Sequence, residues 1–196
     1  MKECHIRARM KGDLKKFNYP VHYELNKPNT LMKDLDPEPY TAPGSFWPDQ
    51  KNANRHRQQY LEWIKSRHYG VHDLTCATCH DPHKGSLDYR YGQLKADERK
   101  LCAECHEEIV ANPVKHSSHR AEVASCSSCH NPKSIAYGSV GNHTWEAISP
   151  AKTIQYGMDD KGKPKMPNSC SLFCHTKETA TVMDEKYKTI FKQYKK

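Results

Sequence analysis

Apolar positions recur at helical spacing in two stretches of this chain, separated by long polar and broken segments. Leu61 and Ile64, continued by His68, fall at i, i+3 and i+7, which predicts a helix over residues 57–69 with one face turned inward. Met183, Tyr187, Ile190, Phe191 and Tyr194 repeat the pattern near the end and predict an amphipathic helix over Lys177–Lys196. A third helix is expected over Ala96–Ala111, which opens on acidic residues and should stop near Pro113. Residues 1–56 are punctuated by Pro20, Pro28, Pro37, Pro39, Pro43 and Pro48 and show no sustained period, so they read as an irregular wrapping arm. Residues 131–168 read as loop-rich, and strand signals are nearly absent. The expected fold is mostly irregular with several α-helices and little or no β-sheet: an arm over 1–56 and a core over 57–196, packed together as one unit.

Composition adds a difficulty to that picture. Leu, Ile, Val and Phe supply only 28 of 196 residues, below the roughly one-fifth under which a chain usually lacks the apolar surface to offset its entropy. Histidine (13) and cysteine (9) are instead abundant. Such a chain needs a core from another source, and Cys with His points to a bound metal group. No run approaches the length needed to span a bilayer as a helix, and no signal-peptide core is present.

The cysteines resolve the difficulty. Cys76-Ala-Thr-Cys79-His80, Cys102-Ala-Glu-Cys105-His106 and Cys126-Ser-Ser-Cys129-His130 fit the c-type haem attachment pattern C-x-x-C-H. Cys170-Ser-Leu-Phe-Cys174-His175 fits it with one extra residue between the thiols. Two thiols bond the porphyrin and the adjacent imidazole ligates iron from one face. Zinc ribbons also use paired cysteines, but they do not require His directly after each second Cys. Disulfides across such short loops would make a poor framework. The ninth cysteine, Cys4, precedes His5. With a Cys just upstream of Met1, the segment would repeat the Cys170–His175 spacing. This reads as the remnant of a fifth haem site from which a signal peptide and the true N-terminus are missing. The formal charge of +8 would suit nucleic acid or an anionic membrane. Haem propionates offset it, since each ferric haem carries about one net negative charge and each ferrous haem about two.

Beyond the motif histidines and His5, the chain holds His22, His56, His68, His72, His83, His116, His119 and His143. Six of these are candidates for the second iron ligand: His22, His68, His83, at least one of His116 and His119, and His143. His56 and His72 are weaker candidates. The supply is enough to close every iron with two imidazoles, which makes methionine ligation unnecessary.

Leu101-Cys-Ala-Glu-Cys-His, followed by His119 and Cys126-Ser-Ser-Cys-His, resembles the doubled C-x-x-C-H module of multihaem cytochromes c, as does Thr75-Cys-Ala-Thr-Cys-His-Asp-Pro-His. Trp63-Ile-Lys-Ser-Arg-His68 is similar to the distal-ligand helix of the superfamily that includes pentahaem nitrite reductases and octahaem hydroxylamine oxidoreductases. The resemblance covers about residues 57–175. It implies closely packed haems, a periplasmic or extracellular location, and electron relay to other redox proteins or extracellular acceptors. Some extracellular relatives polymerise into haem filaments in which a histidine crosses between subunits, a role open to His22 here. The competing reading is a reductase or oxidase of small nitrogen or sulfur species with one open haem. The C-x-x-C-K motif typical of ammonia-forming nitrite reductases is absent from this chain, and the histidine surplus favours a carrier over an enzyme. Neither nucleic acid nor a transmembrane anchor is expected.

Overall fold

The computed structural model describes residues 9–10, 35–36, 43–55, 58–81, 94–135 and 140–194. Cys4, His5, His22, His56 and His83 lie outside the described residues. Sheet among the described residues is limited to one two-residue antiparallel pair, β1 (Arg9–Met10) and β2 (Leu35–Asp36), with Arg9 opposite Asp36. Helices carry the rest of the regular structure: α1 (Gln59–Trp63), α2 (Cys76–Cys79), α3 (Glu98–Ala111), α4 (Pro113–Ser117), α5 (Cys126–His130), α6 (Pro150–Tyr156) and α7 (Ala180–Tyr194). The mostly irregular, helix-bearing fold agrees with the sequence pattern. Among the described residues no helix is long and apolar enough to cross a membrane.

The helix expected over 57–69 is much shorter. After Trp63 the chain turns through three-residue hydrogen bonds, Lys65 N to Glu62 O and Ser66 N to Trp63 O, and the Ser66 hydroxyl accepts from His68 N at 3.2 Å. A serine oxygen thus replaces the helical acceptor, the local competition that Ser offers a backbone. Leu61 is buried as the periodicity required, but His68 reaches its place from a turn.

α3 matches expectation closely. Asp97 accepts from Arg99 N at 3.0 Å and starts the helix, and Pro113 opens α4 immediately after it. The helix is interrupted at His106, whose backbone leaves helical angles. In the loop-rich stretch the pattern missed α6, which begins with Ser149 before Pro150, an arrangement suited to a first helical turn. α6 packs on α7, where Met183 and Asp184 are buried.

The small protein core joins the segment from Phe46 to Ala53 to α1. Phe46, Ala53, Tyr60, Leu61 and Ile135 are buried together, with Trp63, Ile64 and Val140 against them. Asp49 ties this region to α6: its carboxylate accepts from Lys51 N (3.1 Å) and Asn52 N (3.0 Å) and pairs with Lys152 Nζ. Burial alone would raise the Asp49 carboxyl, but the hydrogen bonds from Lys152, Asn52 and Lys51 together hold it below its ordinary value. A depressed folded pKa stabilises above the unfolded value of about 4 and is lost as pH falls through the folded one. Asp49→Asn should therefore cost about 2 kcal/mol at neutral pH and flatten the loss of stability below about pH 4. Denaturant unfolding at pH 7 and pH 3 checks both; equal losses at the two pH values would refute the linkage.

Candidate haem-binding sites

The first and fourth attachment motifs wind into turns that return the histidine to the first cysteine, and the second lies within α3. In the first, His80 N donates to Cys76 O at 2.9 Å, and Thr75 N donates to the Thr78 hydroxyl at 3.0 Å to start the turn. In the third, the Ser125 hydroxyl accepts from Ser128 N at 3.3 Å. The fourth motif absorbs its extra residue in a wider turn. His175 N still donates to Cys170 O at 2.9 Å, so the histidine reaches the same anchor one residue further along. All eight described cysteines are unpaired, and no disulfide framework forms among them. Nor, among the described residues, do three or more His, Cys, Asp and Glu side chains converge as a metal site, where a structural zinc needs four ligands.

Each of the four described motif histidines lies beside a histidine from elsewhere in the chain. The ring centroids of His80 and His143 are 6.3 Å apart, His68 and His106 6.1 Å, His116 and His130 5.9 Å, and His119 and His175 6.0 Å. A metal–imidazole bond of about 2 Å, with the ring centre about 1.1 Å behind the nitrogen, puts two imidazoles on opposite sides of one metal roughly 6.2 Å apart. The residues present therefore fit iron held between two histidines at each of the four motifs. Two pairs have rings inclined by 26° and 24°, and the other two, His68–His106 and His119–His175, by 87° and 77°.

Sequence spacing did not assign these partners. His68 precedes Cys76 by eight residues, yet it meets His106 of the second motif. His143, in the segment leading to the fourth motif, meets His80 of the first. His116 and His119 both take part, facing the third and fourth motifs respectively. His72 is exposed on the loop before Cys76, with left-handed backbone (φ 47°).

Residues outside the motifs hold these rings in place. Glu62, fully buried, accepts from His143 N at 2.9 Å and from Ala53 N at 2.7 Å, and His143 Nδ1 lies 3.0 Å from Gly141 O. Asn142, Thr144 and Asn52 form a buried hydrogen-bonded cluster on either side of His143. Trp145, held at φ 55°, sets its ring edge-on to His143 (5.7 Å) and to His68 (6.1 Å). Its carbonyl lies 3.3 Å from His130 Nδ1. One residue thus touches histidines of three sites. Trp63 stacks on His68 at 6.2 Å. Ser169 docks the fourth motif on the third: its hydroxyl donates to Cys129 O at 2.8 Å and accepts from Ile148 N at 2.9 Å.

Burial pushes His68, His116 and His130 below the ordinary histidine pKa. Neighbouring imidazoles add to the effect: His106 and His130 on His68, His130 and His106 on His116, and His106 on His130, where the Trp145 carbonyl pulls the other way. Burial also pushes the Glu62 carboxyl up to about 7, against the hydrogen bonds from His143 and Ala53. Neutral imidazole is the form that ligates metal. Sequence reasoning missed Glu62, Trp145, Ser169 and Glu178. Only Trp145 and Glu178 carried a local signal, lying two and three residues after His143 and His175.

Known proteins share parts of this sequence and its fold. The doubled CXXCH motif family matches residues 68–111, the span holding His68 and the first two motifs rather than the Cys102–Cys126 pair. The chain is 35% identical over 74 residues to multiheme cytochrome MtrA of Shewanella baltica, covering 37% of this chain and 21% of that protein. Its fold superimposes on the crystal structure of the outer cell wall cytochrome OcwA with a TM-score of 0.64 at 19% identity, covering 95% of this chain and 50% of the other. The chain thus spans a fifth to a half of the length of these relatives. Four attachment motifs, the family match and the shared fold together support a multihaem c-type cytochrome.

Proposed function

We propose that the chain passes electrons along a row of at least four c-type haems, each closed by two histidines. The pairs are His80 with His143, His106 with His68, His130 with His116, and His175 with His119. The thioether bonds fall to Cys76 and Cys79, Cys102 and Cys105, Cys126 and Cys129, and Cys170 and Cys174. The observation that carries the reading is the set of four ring pairs at 5.9–6.3 Å, the spacing of two imidazoles across one metal. The bound groups supply one-electron iron chemistry. The protein keeps the imidazoles neutral and seated, so that small molecules are excluded from the metal. A reductase of nitrogen or sulfur species needs one open face, and none of the four described pairs leaves one.

Carbon monoxide decides between carrier and catalyst. The reduced protein should take up none at these four sites, and stoichiometric uptake at one of them would overturn the carrier reading. Electron paramagnetic resonance of the ferric protein adds an independent test. Near-parallel rings give rhombic low-spin signals and near-perpendicular rings highly anisotropic ones, so two of each are expected.

The finer expectations belong to the same proposal. Cys4 and His5 would serve a fifth haem, with His22 or His83 as its second ligand, and intact mass of the native protein counts the haems directly. Covalent haem attachment and the likeness to an outer cell wall cytochrome support a site of action outside the cytoplasm, with other redox proteins or extracellular acceptors as partners. In a homopolymer His22 would cross to a neighbour's haem, which His22→Ala would break; an unchanged assembly size would reject it.

A further inference from the structure

The first, third and fourth sites differ in what lies beside the Nδ1 nitrogen of their histidines. His119 Nδ1 lies 2.7 Å from Ser117 O, His130 Nδ1 3.3 Å from Trp145 O, and His143 Nδ1 3.0 Å from Gly141 O. These acceptors are neutral backbone carbonyls. His175 Nδ1 instead lies 3.0 Å from Glu178 Oε1, while Glu178 Oε2 takes Lys186 Nζ of α7 at 2.8 Å. A carboxylate accepts only, so the proton of this bond sits on His175 Nδ1.

We propose that Glu178 is a positioning residue that makes His175 an electron-rich ligand and lowers the reduction potential of the fourth haem. The inference rests on the haem reading above. A ligand imidazole that donates its second N–H to an anion becomes more basic and stabilises the higher charge on the metal. The ferric state is then favoured over the ferrous one, and hydrogen bonding of this kind is one of the levers by which a protein sets haem potential. The electron taken up at this site comes from a neighbouring haem, which is oxidised by one electron in the same step. A lower potential here makes the fourth haem the better donor to that neighbour and the poorer acceptor from it. Lys186 opposes the effect by drawing charge from the other carboxylate oxygen. Its position eight residues along, on α7, ties the potential to the docking of that helix. Glu178 and His175 side chains are 30% and 33% exposed, so solvent screens part of the interaction.

The test is spectroelectrochemical titration of the full haem-loaded protein and two variants. Glu178→Gln keeps a hydrogen-bond acceptor and removes the charge. It should raise the potential of one haem, with a change in ferric preference of up to about tenfold, which is 59 mV for a one-electron couple. Lys186→Met should shift the same haem downward. The paramagnetic signal altered by Glu178→Gln should be one of the two highly anisotropic ones, because the His119 and His175 rings are inclined by 77°. A purely structural role for Glu178 would not give opposite shifts from the two variants. An intact fourth haem whose potential and signal stay put in Glu178→Gln, or equal shifts at every haem, would overturn the proposal. Intact mass separates the failure of the underlying reading, since a chain lacking haem at Cys170 and Cys174 would sink that reading first.

Discussion

His143→Ala is expected to turn a protein closed to carbon monoxide into one that binds about one molecule per chain once reduced, because a five-coordinate haem iron has an open face. The ring of His143 faces His80 at 6.3 Å. It is removed without touching the backbone N–H that Glu62 holds at 2.9 Å. The fold around it should therefore persist, and the change should be confined to the first site. In the ferric protein one rhombic low-spin signal should disappear, because this pair belongs to the near-parallel class at 26°. His72→Ala is the matched control: His72 is exposed on a loop, and its loss should leave both readouts unchanged. Optical titration with carbon monoxide gives the stoichiometry, and zero uptake in His143→Ala would show that another group closes the first iron.

Glu62→Ala should cost the fold about 3 kcal/mol, since one buried and one half-buried N–H group lose their acceptor at about 1–3 kcal/mol each. Those groups belong to Ala53, which lies in the protein core, and to His143. Relief of the buried carboxyl offsets part of the loss, since burial pushes Glu62 up to about 7. Glu62→Gln should also destabilise, because its amide turns a donor toward one of the two N–H groups. Both variants should loosen His143 and let a fraction of the first site take up carbon monoxide, coupling a stability defect to a haem spectrum. Thermal melting followed by far-ultraviolet circular dichroism measures the first effect. An unchanged melting temperature in both variants would mean that Glu62 is not the brace its hydrogen bonds describe.

Sequence alone determined the chemistry. Haem attachment needs its two thiols and its imidazole within five or six consecutive residues, so Cys76–His80, Cys102–His106, Cys126–His130 and Cys170–His175 are legible without any fold. The count of remaining histidines bounded the ligation, and the scarcity of aliphatics pointed to a core drawn from a bound group. Helix limits were legible only where local bonds decide them, as at Asp97 and Pro113 for α3. They were not legible at 57–69, where the Ser66 hydroxyl and the bonds of Glu62 to Ala53 and His143 outweigh periodicity. Tertiary structure alone decided which histidine meets which motif: His68 skips the nearest motif for His106, and His143 turns back to His80. It also supplied Glu62, Trp145, Ser169 and Glu178. The physical reason is range. A covalent motif is local in the chain, whereas the partner of each motif histidine comes from a segment that only packing brings near it.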